Sequence, residues 1–286
     1  MKEQVIDISV SELHPFQNHP FYVRDDESMQ TLCDSIREYG VLSPLLARPI
    51  GEGYEIVSGH RRRAAAMKLG LDKLPVLVRN MTDDEAVILM VDSNIQRENL
   101  LPSEKAIAYK MKLEAMNRKL GRPLEKEGQI VPDYFGKRST EVLGQAAGES
   151  YKTVQRYIRL TNLIPELLDK VDAGQIALSP GVELSYLDTD IQRILLDAME
   201  EADCTPSFSQ SVRMKNLYRE GKLTGATIYS IMAEEKANQK ETVRIPKDRL
   251  RQLLPHGMDA RRTEEYIVKA CEYYMRYLQR QRDLER

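Results

Sequence analysis

The sequence predicts an α+β unit over residues 1–100, an all-α region over 101–238 and a mostly helical C-terminal segment over 239–286. Short runs of β-forming residues alternate with helical patterns near the N-terminus, whereas apolar residues at helical spacing dominate afterwards. Trp is absent and only 4 Phe occur, against 14 Tyr and 12 Met. This composition favours helices over a β-sandwich. A length of 286 residues is typical of two or three domains.

Glycine, proline and capping residues delimit the elements of the first unit. Gly40 is predicted to end the first helix, Gly51 and Gly53 to form a hairpin turn, and Gly70 to end the second helix. Thr82 and Glu85 form a predicted capping box. The predicted strands are 5–10, 44–48, 54–57 and 74–79, and the predicted helices are 29–39, 60–69 and 82–96.

Helical patterns cover most of the remaining chain. Ser103 is predicted to cap a helix that reaches Leu120, and the Gly-, Pro- and charge-rich stretch 121–138 is predicted to be a linker. One isolated strand is predicted at 242–245. Further helices are predicted near 139–147, 150–160, 165–173, 180–187, 189–202, 207–219, 224–238 and 261–284.

The formal net charge of −2 conceals alternating blocks. Residues 1–100 carry 11 basic and 16 acidic side chains, and residues 161–235 carry 6 and 13. Residues 101–160 carry 12 basic and 7 acidic side chains, and residues 236–286 carry 13 and 8. A local basic block can bind a phosphate backbone although the whole chain is acidic. For the C-terminal block, a solvated helix face is an equally good interpretation.

The three cysteines lie far apart, without the spacing of a zinc site or a disulfide framework. No apolar run long enough to cross a membrane and no signal-peptide pattern occurs. We therefore expect a cytoplasmic protein without a membrane partner.

A phosphate site is predicted where a strand turns into a helix at Ser58–Gly59–His60. A helix N-terminus presents unpaired backbone N–H groups, and glycine lets an anion approach closely. Arg61, Arg62 and Arg63 add planar donors that suit phosphate oxygens. Their positive charges oppose the helix dipole unless an anion is bound. Three arginines on a solvated helix face are the alternative.

A second polar group ends the helix predicted at 82–96. Asn94 offers a neutral oxygen that could hold Mg²⁺ beside phosphates, and Arg97 could offset phosphate charge. A merely polar helix end is the alternative.

The segment 139–160 has the spacing of a helix-turn-helix. Ala146 and Ala147 are small enough for two helices to approach, Gly148 supplies the turn and Ser150 can cap the second helix. Gln and Arg side chains can bind base edges, whereas Ser, Lys and Tyr commonly bind phosphates. The residues predicted to face DNA are Ser150, Tyr151, Lys152, Gln155, Arg156 and Arg159.

Three segments resemble the conserved boxes of the ParB family. They are 38–49, 54–65 and 93–100, and their order and spacing agree with the family. The second usually reads G-E-R-R-x-R-A and the third E-N-x-Q-R. The helix-turn-helix follows the boxes, so the resemblance covers about residues 5–190. The sequence resembles most the ParB-like proteins of Gram-positive plasmids and integrative elements. The turn at Gly59–His60–Arg61 is also similar to the corresponding turn of sulfiredoxin, but Gly59 takes the place of that enzyme's cysteine.

The resemblance implies a homodimeric DNA clamp that CTP switches. It implies that Gly59, His60, Arg61 and Arg62 hold the triphosphate, with Arg97 beside them and Asn94 near Mg²⁺. His60 and Ser93 stand where the family usually has glutamate. Because Ser93 is neutral, binding of CTP is expected while its hydrolysis stays open. Whether a ParA-type ATPase is a partner is left open by the resemblance, since the chain begins without the basic tail of many relatives.

Three functions compete at this point. The first is a partition protein that binds a centromere-like site in double-stranded DNA and associates with the nucleoid or a plasmid. The second is a transcriptional regulator that uses the same helix-turn-helix without nucleotide switching. The third, a nuclease, is disfavoured because no carboxylate or histidine cluster suited to metal-assisted hydrolysis lies near the phosphate turn.

Overall fold

The computed structural model describes residues 5–97, 99–119, 143–144, 148–234, 254 and 260–284. The chain forms two compact units, residues 1–234 and residues 235–286. The linker predicted at 121–138 and the strand predicted at 242–245 lie outside the described residues. The boundary that we predict at residue 100 stays a prediction.

A five-stranded mixed sheet organises the N-terminal part of the first unit. Its strands are β1 (Val5–Ser9), β2 (Leu13–His14), β3 (Leu45–Ile50), β4 (Gly53–Ser58) and β5 (Lys73–Val78), in the order β1-β5-β3-β4-β2. Strands β3 and β4 form the predicted antiparallel hairpin, whereas β3 pairs parallel with β5 and β2 parallel with β4. The short strand β2 is not predicted by the sequence, because it falls in a proline-rich segment.

Three helices complete this part. They are α1 (Glu27–Tyr39), α2 (His60–Leu69) and α3 (Asp83–Asp92). Helix α2 has the predicted bounds, and the capping box of Thr82 and Glu85 at the start of α3 is confirmed. Helix α3 ends at Asp92 and not near Gln96, so Asn94 and Arg97 lie beyond its last turn.

Helices form the rest of the first unit. They are α4 (Pro102–Lys119), α5 (Tyr151–Leu160), α6 (Pro165–Asp172), α7 (Leu178–Leu184), α8 (Thr189–Glu201), α9 (Phe208–Arg219) and α10 (Gly225–Ala233). The prediction that Ser103 caps α4 is wrong, because the helix begins at Pro102 and Ser103 lies inside it. The Ser103 backbone N–H and hydroxyl both donate to the Asp172 carboxylate, which ties α4 to α6.

Buried side chains join the sheet to the first helices of the α-helical region. One apolar cluster contains Val57 of β4, Met90 of α3, Tyr109 and Leu113 of α4, and Val154 of α5. Because α4 packs against both α3 and α5, it fixes the sheet domain relative to α5. A second cluster, built around Leu167, Leu195 and Met214, forms the core of the later helices.

The second unit contains α11 (Ala260–Leu284), which begins one residue before the predicted helix. It exposes apolar and aromatic side chains, namely Tyr266, Val268, Tyr273, Tyr274, Met275, Tyr277 and Leu278. None of the helices in the described part of the chain is long and apolar enough to cross a membrane.

Candidate functional site

Gly59 forms the turn between β4 and α2 in a conformation that favours glycine. Its φ is +108°, and a Cβ there would lie 2.8 Å from Leu45 Cγ. No side chain caps the N-terminus of α2. The first N–H groups of a helix have no acceptor within it, so this turn can bind an anion through the backbone.

The arginines after Gly59 are held in place by neighbouring elements. Arg61 Nη2 donates to Ser28 Oγ in the first turn of α1 and lies 3.8 Å from Asp26 Oδ1. Arg62 Nη1 donates to the Ser43 and Pro44 carbonyl oxygens, the latter at 2.8 Å. Because both guanidinium groups are already oriented, a bound anion would require little further ordering of them.

Two buried donor nitrogens at this turn, Arg61 Nε and Arg63 Nε, form no hydrogen bond with any described residue. Burial also lowers the pKa of the Arg62 and Arg97 guanidinium groups. Buried polar atoms normally have partners, and buried cations are normally compensated by an anion. The turn is therefore chemically suited to a polyanion such as a triphosphate.

His60 is a neutral side chain inside this cationic site. Its ring lies against that of His19, with 3.8 Å between the centroids, and its Nε2 accepts a hydrogen bond from the Phe16 N–H at 3.2 Å. Burial first, and then the charges of His19, Arg63 and Arg97, lower the pKa of His60 to about 3. His60 therefore fixes the loop of Phe16 and His19 above the turn without adding a charge.

A buried ion pair in the sheet supports the same loop. Glu55 accepts from the Gln17 N–H at 3.1 Å and from Arg48 Nε at 2.7 Å, while Arg48 Nη1 reaches Asp83 Oδ1 at 2.5 Å. Arg48 and Glu55 are 8% and 4% exposed. Removal of Arg48 would leave the buried Glu55 carboxylate uncompensated, so this pair fixes the loop position.

The structure places Asn94 and Arg97 differently with respect to the turn. Asn94 is buried, and its Nδ2 donates to Met90 O and to Ser93 Oγ within its own segment. Arg97 is half-buried, and its charge acts on both His60 and Arg61. Among the described residues, no group of three His, Cys, Asp or Glu side chains could hold a metal ion. Asn94 would thus give Mg²⁺ one neutral oxygen.

Helix α5 is the second helix of the predicted helix-turn-helix. Ser150 caps it, because its Oγ accepts from the Thr153 N–H at 3.1 Å, and Gly148 adopts the predicted turn conformation with φ +69°. Gly144 is also required there, since a Cβ would lie 2.5 Å from Glu149 O. Ala146 and Ala147, and the first helix predicted at 139–147 apart from Leu143 and Gly144, lie outside the described residues.

The residues predicted to face DNA differ in exposure and in the hydrogen bonds that orient them. Lys152 is exposed, and Tyr151 and Gln155 are half-exposed. Arg156 Nη2 donates to Ser179 Oγ at 2.5 Å, and Arg159 Nη2 donates to Ser185 O at 3.4 Å. Ser150 serves as the helix cap. Helix α7 and the residues after it thus orient the two arginines of α5.

Two contacts to the site escaped the sequence analysis. His19 lies 41 positions before its neighbour His60, and Ser28 lies 33 positions before Arg61. A histidine in a proline-rich segment gives no periodic pattern, and a serine in the first turn of a helix is usually interpreted as a cap. The pairing of β2 with β4 brings His19 to His60, and the packing of α1 against α2 brings Ser28 to Arg61.

Comparison with known proteins gives consistent matches. Residues 1–95 match the ParB N-terminal domain. The chromosome-partitioning protein Spo0J of Thermus thermophilus is 34% identical over 186 residues, which are 65% of this chain and 61% of that protein. A probable plasmid-partitioning protein ParB of the same species is 32% identical over 61% of this chain and 64% of its own length. The chain thus spans less than two thirds of either relative.

Two solved structures of the C-terminally truncated partitioning protein ParB from Caulobacter crescentus are also similar. The complex with the centromeric parS site covers 79% of this chain and 98% of that one, at 21% identity and a TM-score of 0.42. The complex with CTP-γ-S covers 67% and 96%, at 26% identity and a TM-score of 0.31.

Proposed function

The chain belongs to the ParB family, and from this premise we propose a sequence-specific DNA-binding partition protein whose first domain binds CTP. The observation that carries the proposal is the turn at Gly59, where the donors Arg61 Nε and Arg63 Nε lack hydrogen-bond partners among the described residues. A triphosphate supplies the acceptors and the negative charge that this group of nitrogens lacks.

Each part of the site has a defined task in this proposal. The N-terminus of α2 and the side chains of Arg61, Arg62 and Arg63 bind and orient the phosphates. Arg97 adds positive charge from the neighbouring segment, whose Asn94 supplies one oxygen toward Mg²⁺. The metal, when bound, would neutralise phosphate charge, and nucleotide oxygens would provide most of its ligands.

Helix α5 carries the DNA-binding part of the proposal. We propose that the protein acts as a homodimer on a short inverted repeat in double-stranded DNA, with a ParA-type ATPase as its partner in segregation. A plasmid or an integrative element is the proposed cargo, because the sequence boxes resemble that type. The proposed place of action is the cytoplasm, on the nucleoid or on a plasmid.

Replacing Arg156 with alanine should weaken binding to the cognate duplex by about 1–3 kcal/mol, or roughly 5- to 150-fold, if this side chain contacts a base edge. The hydrogen bond to Ser179 Oγ holds the Arg156 guanidinium group in one orientation. Selection from random duplexes followed by fluorescence anisotropy measures the effect. Arg193→Ala, an exposed cation of α8 paired with Asp190, is the matched control. Failure of the selection to enrich any motif would contradict sequence-specific binding.

Replacing Ser93 with glutamate should raise the rate of CTP hydrolysis by about tenfold or more, because a carboxylate can act as a base and a serine hydroxyl cannot. Ser93 is exposed, and its hydroxyl donates only to Met90 O within its own helix turn. Asp92 cannot substitute for it, since its carboxylate binds Lys112 on α4.

Release of inorganic phosphate with saturating cognate DNA measures this turnover. Gln96→Glu adds the same charge three positions away and is expected to leave the rate low. A wild-type rate equal to that of relatives with glutamate, and unchanged in Ser93→Glu, would show that another residue provides the base.

A further inference from the structure

Three cationic side chains surround the ring of Tyr186, which lies outside the helix-turn-helix. Tyr186 follows α7, and Arg159 Cζ of α5 lies 3.8 Å from the centroid of its ring. From α9, Lys215 Nζ and Arg219 Cζ lie 5.2 Å and 5.1 Å from the same centroid. We call these four residues the Tyr186 cluster.

The Tyr186 cluster carries more positive than negative charge. Glu183 forms an ion pair with Lys215. Arg219 is exposed and forms no ion pair with any residue that the structure describes. The other nearby carboxylates have their own partners, because Asp188 accepts from the Tyr218 hydroxyl and Glu220 pairs with Lys222. Like charges gathered at one ring repel each other, so an anion bound there would be stabilised.

The cluster continues the arginine stripe of α5. Arg159 follows Arg156 by three residues, and positions three apart share one face of a helix. Ser179 and Ser185, at the two ends of α7, bind Arg156 and Arg159. A helix in the major groove is flanked by phosphate backbones, and neighbouring helices commonly contact them. A cluster that adjoins α5 through Arg159 is therefore suited to contact a flanking backbone.

The local role of each cation does not account for this arrangement. A cation such as Arg219 in the last turn of α9 stabilises the helix dipole. That effect needs neither Tyr186 nor Lys215. The Tyr186 ring can hold the Arg219 guanidinium group in a fixed orientation through a cation–π contact, which leaves the N–H groups of Arg219 available to a second partner.

We propose that the Tyr186 cluster is a second DNA-contact surface, which binds the phosphate backbone beside the segment contacted by α5. The inference rests on the proposed DNA-binding function. It assigns no base contact to Tyr186, Lys215 or Arg219, so the contribution of these three residues is the same for cognate and unrelated duplexes.

Replacing Arg219 with glutamine tests the surface in the full-length protein. Loss of one phosphate contact is expected to weaken binding about three- to tenfold on both duplexes and to reduce the slope of log K against log salt by about 0.9. Arg213→Gln is the matched control, since Arg213 lies on another face of α9 and pairs with Glu234. Tyr186→Leu should weaken binding similarly, whereas Tyr186→Phe keeps the ring and the affinity.

Fluorescence anisotropy at four salt concentrations and thermal unfolding are measured together. Equal losses on cognate and unrelated DNA with a reduced salt slope, and an unchanged Arg213→Gln, support the surface. An unchanged slope and affinity in Arg219→Gln overturn it, as does an effect confined to the unfolding temperature. If the wild type binds no duplex at all, the proposed function fails as well; if Arg156→Ala alone loses affinity, only the second surface fails.

Discussion

Replacing Arg61 with alanine is expected to weaken CTP binding about a hundredfold, because a charge-assisted hydrogen bond in a partly buried site contributes about 1.5–3 kcal/mol. Within the folded protein, only some of the N–H groups of the Arg61 guanidinium form hydrogen bonds. Its Nη2 donates to Ser28, but its buried Nε has no hydrogen-bond partner among the described residues. The substitution thus removes an open donor and a charge at the turn.

Arg62→Ala should differ from Arg61→Ala in a measurable way. Arg62 donates to the carbonyl oxygens of Ser43 and Pro44 before β3. Its loss should therefore lower the unfolding temperature as well as CTP affinity, whereas Arg61→Ala should chiefly lower affinity.

Isothermal titration calorimetry with CTP, Mg²⁺ and cognate DNA measures these affinities. Arg37→Ala is the matched control, since Arg37 is an exposed arginine of α1 that pairs with Asp34 in its own helix. Absence of any CTP binding by the wild type at millimolar nucleotide would refute the nucleotide site. Wild-type affinity in Arg61→Ala would exclude Arg61 from it.

Local chemistry made much of the fold and of the site predictable. The bounds of α2, the capping box at Thr82 and the cap at Ser150 follow from glycine conformations and side-chain hydrogen bonds that span three residues or fewer. The phosphate turn is predictable for the same reason, because Gly59 and the arginines after it are contiguous in sequence.

Contacts between distant segments were not predictable from the sequence. Ser103 has the composition of a cap, but the carboxylate of Asp172, 69 positions later, binds its hydroxyl inside the helix. The Tyr186 cluster draws two of its cations from the block 161–235, which is acidic overall. Charge summed along the chain cannot show which side chains the packing of α5, α7 and α9 brings to one ring.

His60 should make the folded state sensitive to acid. Its pKa is about 3 in the folded protein, chiefly because of burial, against an ordinary value of 6.5. Between these values the unfolded chain binds a proton that the folded chain does not. The contribution of His60 to stability is therefore fully present above pH 6.5 and is lost as the pH falls toward 3. Burial also lowers the pKa of His19, which acts in the same direction.

Replacing His60 with glutamine should remove this term, because the glutamine side-chain oxygen can still accept the Phe16 N–H but does not titrate. The free energy of unfolding of the wild type should fall by about 2 kcal/mol more than that of His60→Gln between pH 7 and pH 5. Carboxylates common to both proteins largely cancel in this difference. Urea unfolding at the two pH values measures it, with the exposed His14→Gln as the control. Equal losses in the wild type and His60→Gln would mean that the pKa of His60 in the folded protein is close to the ordinary value for histidine.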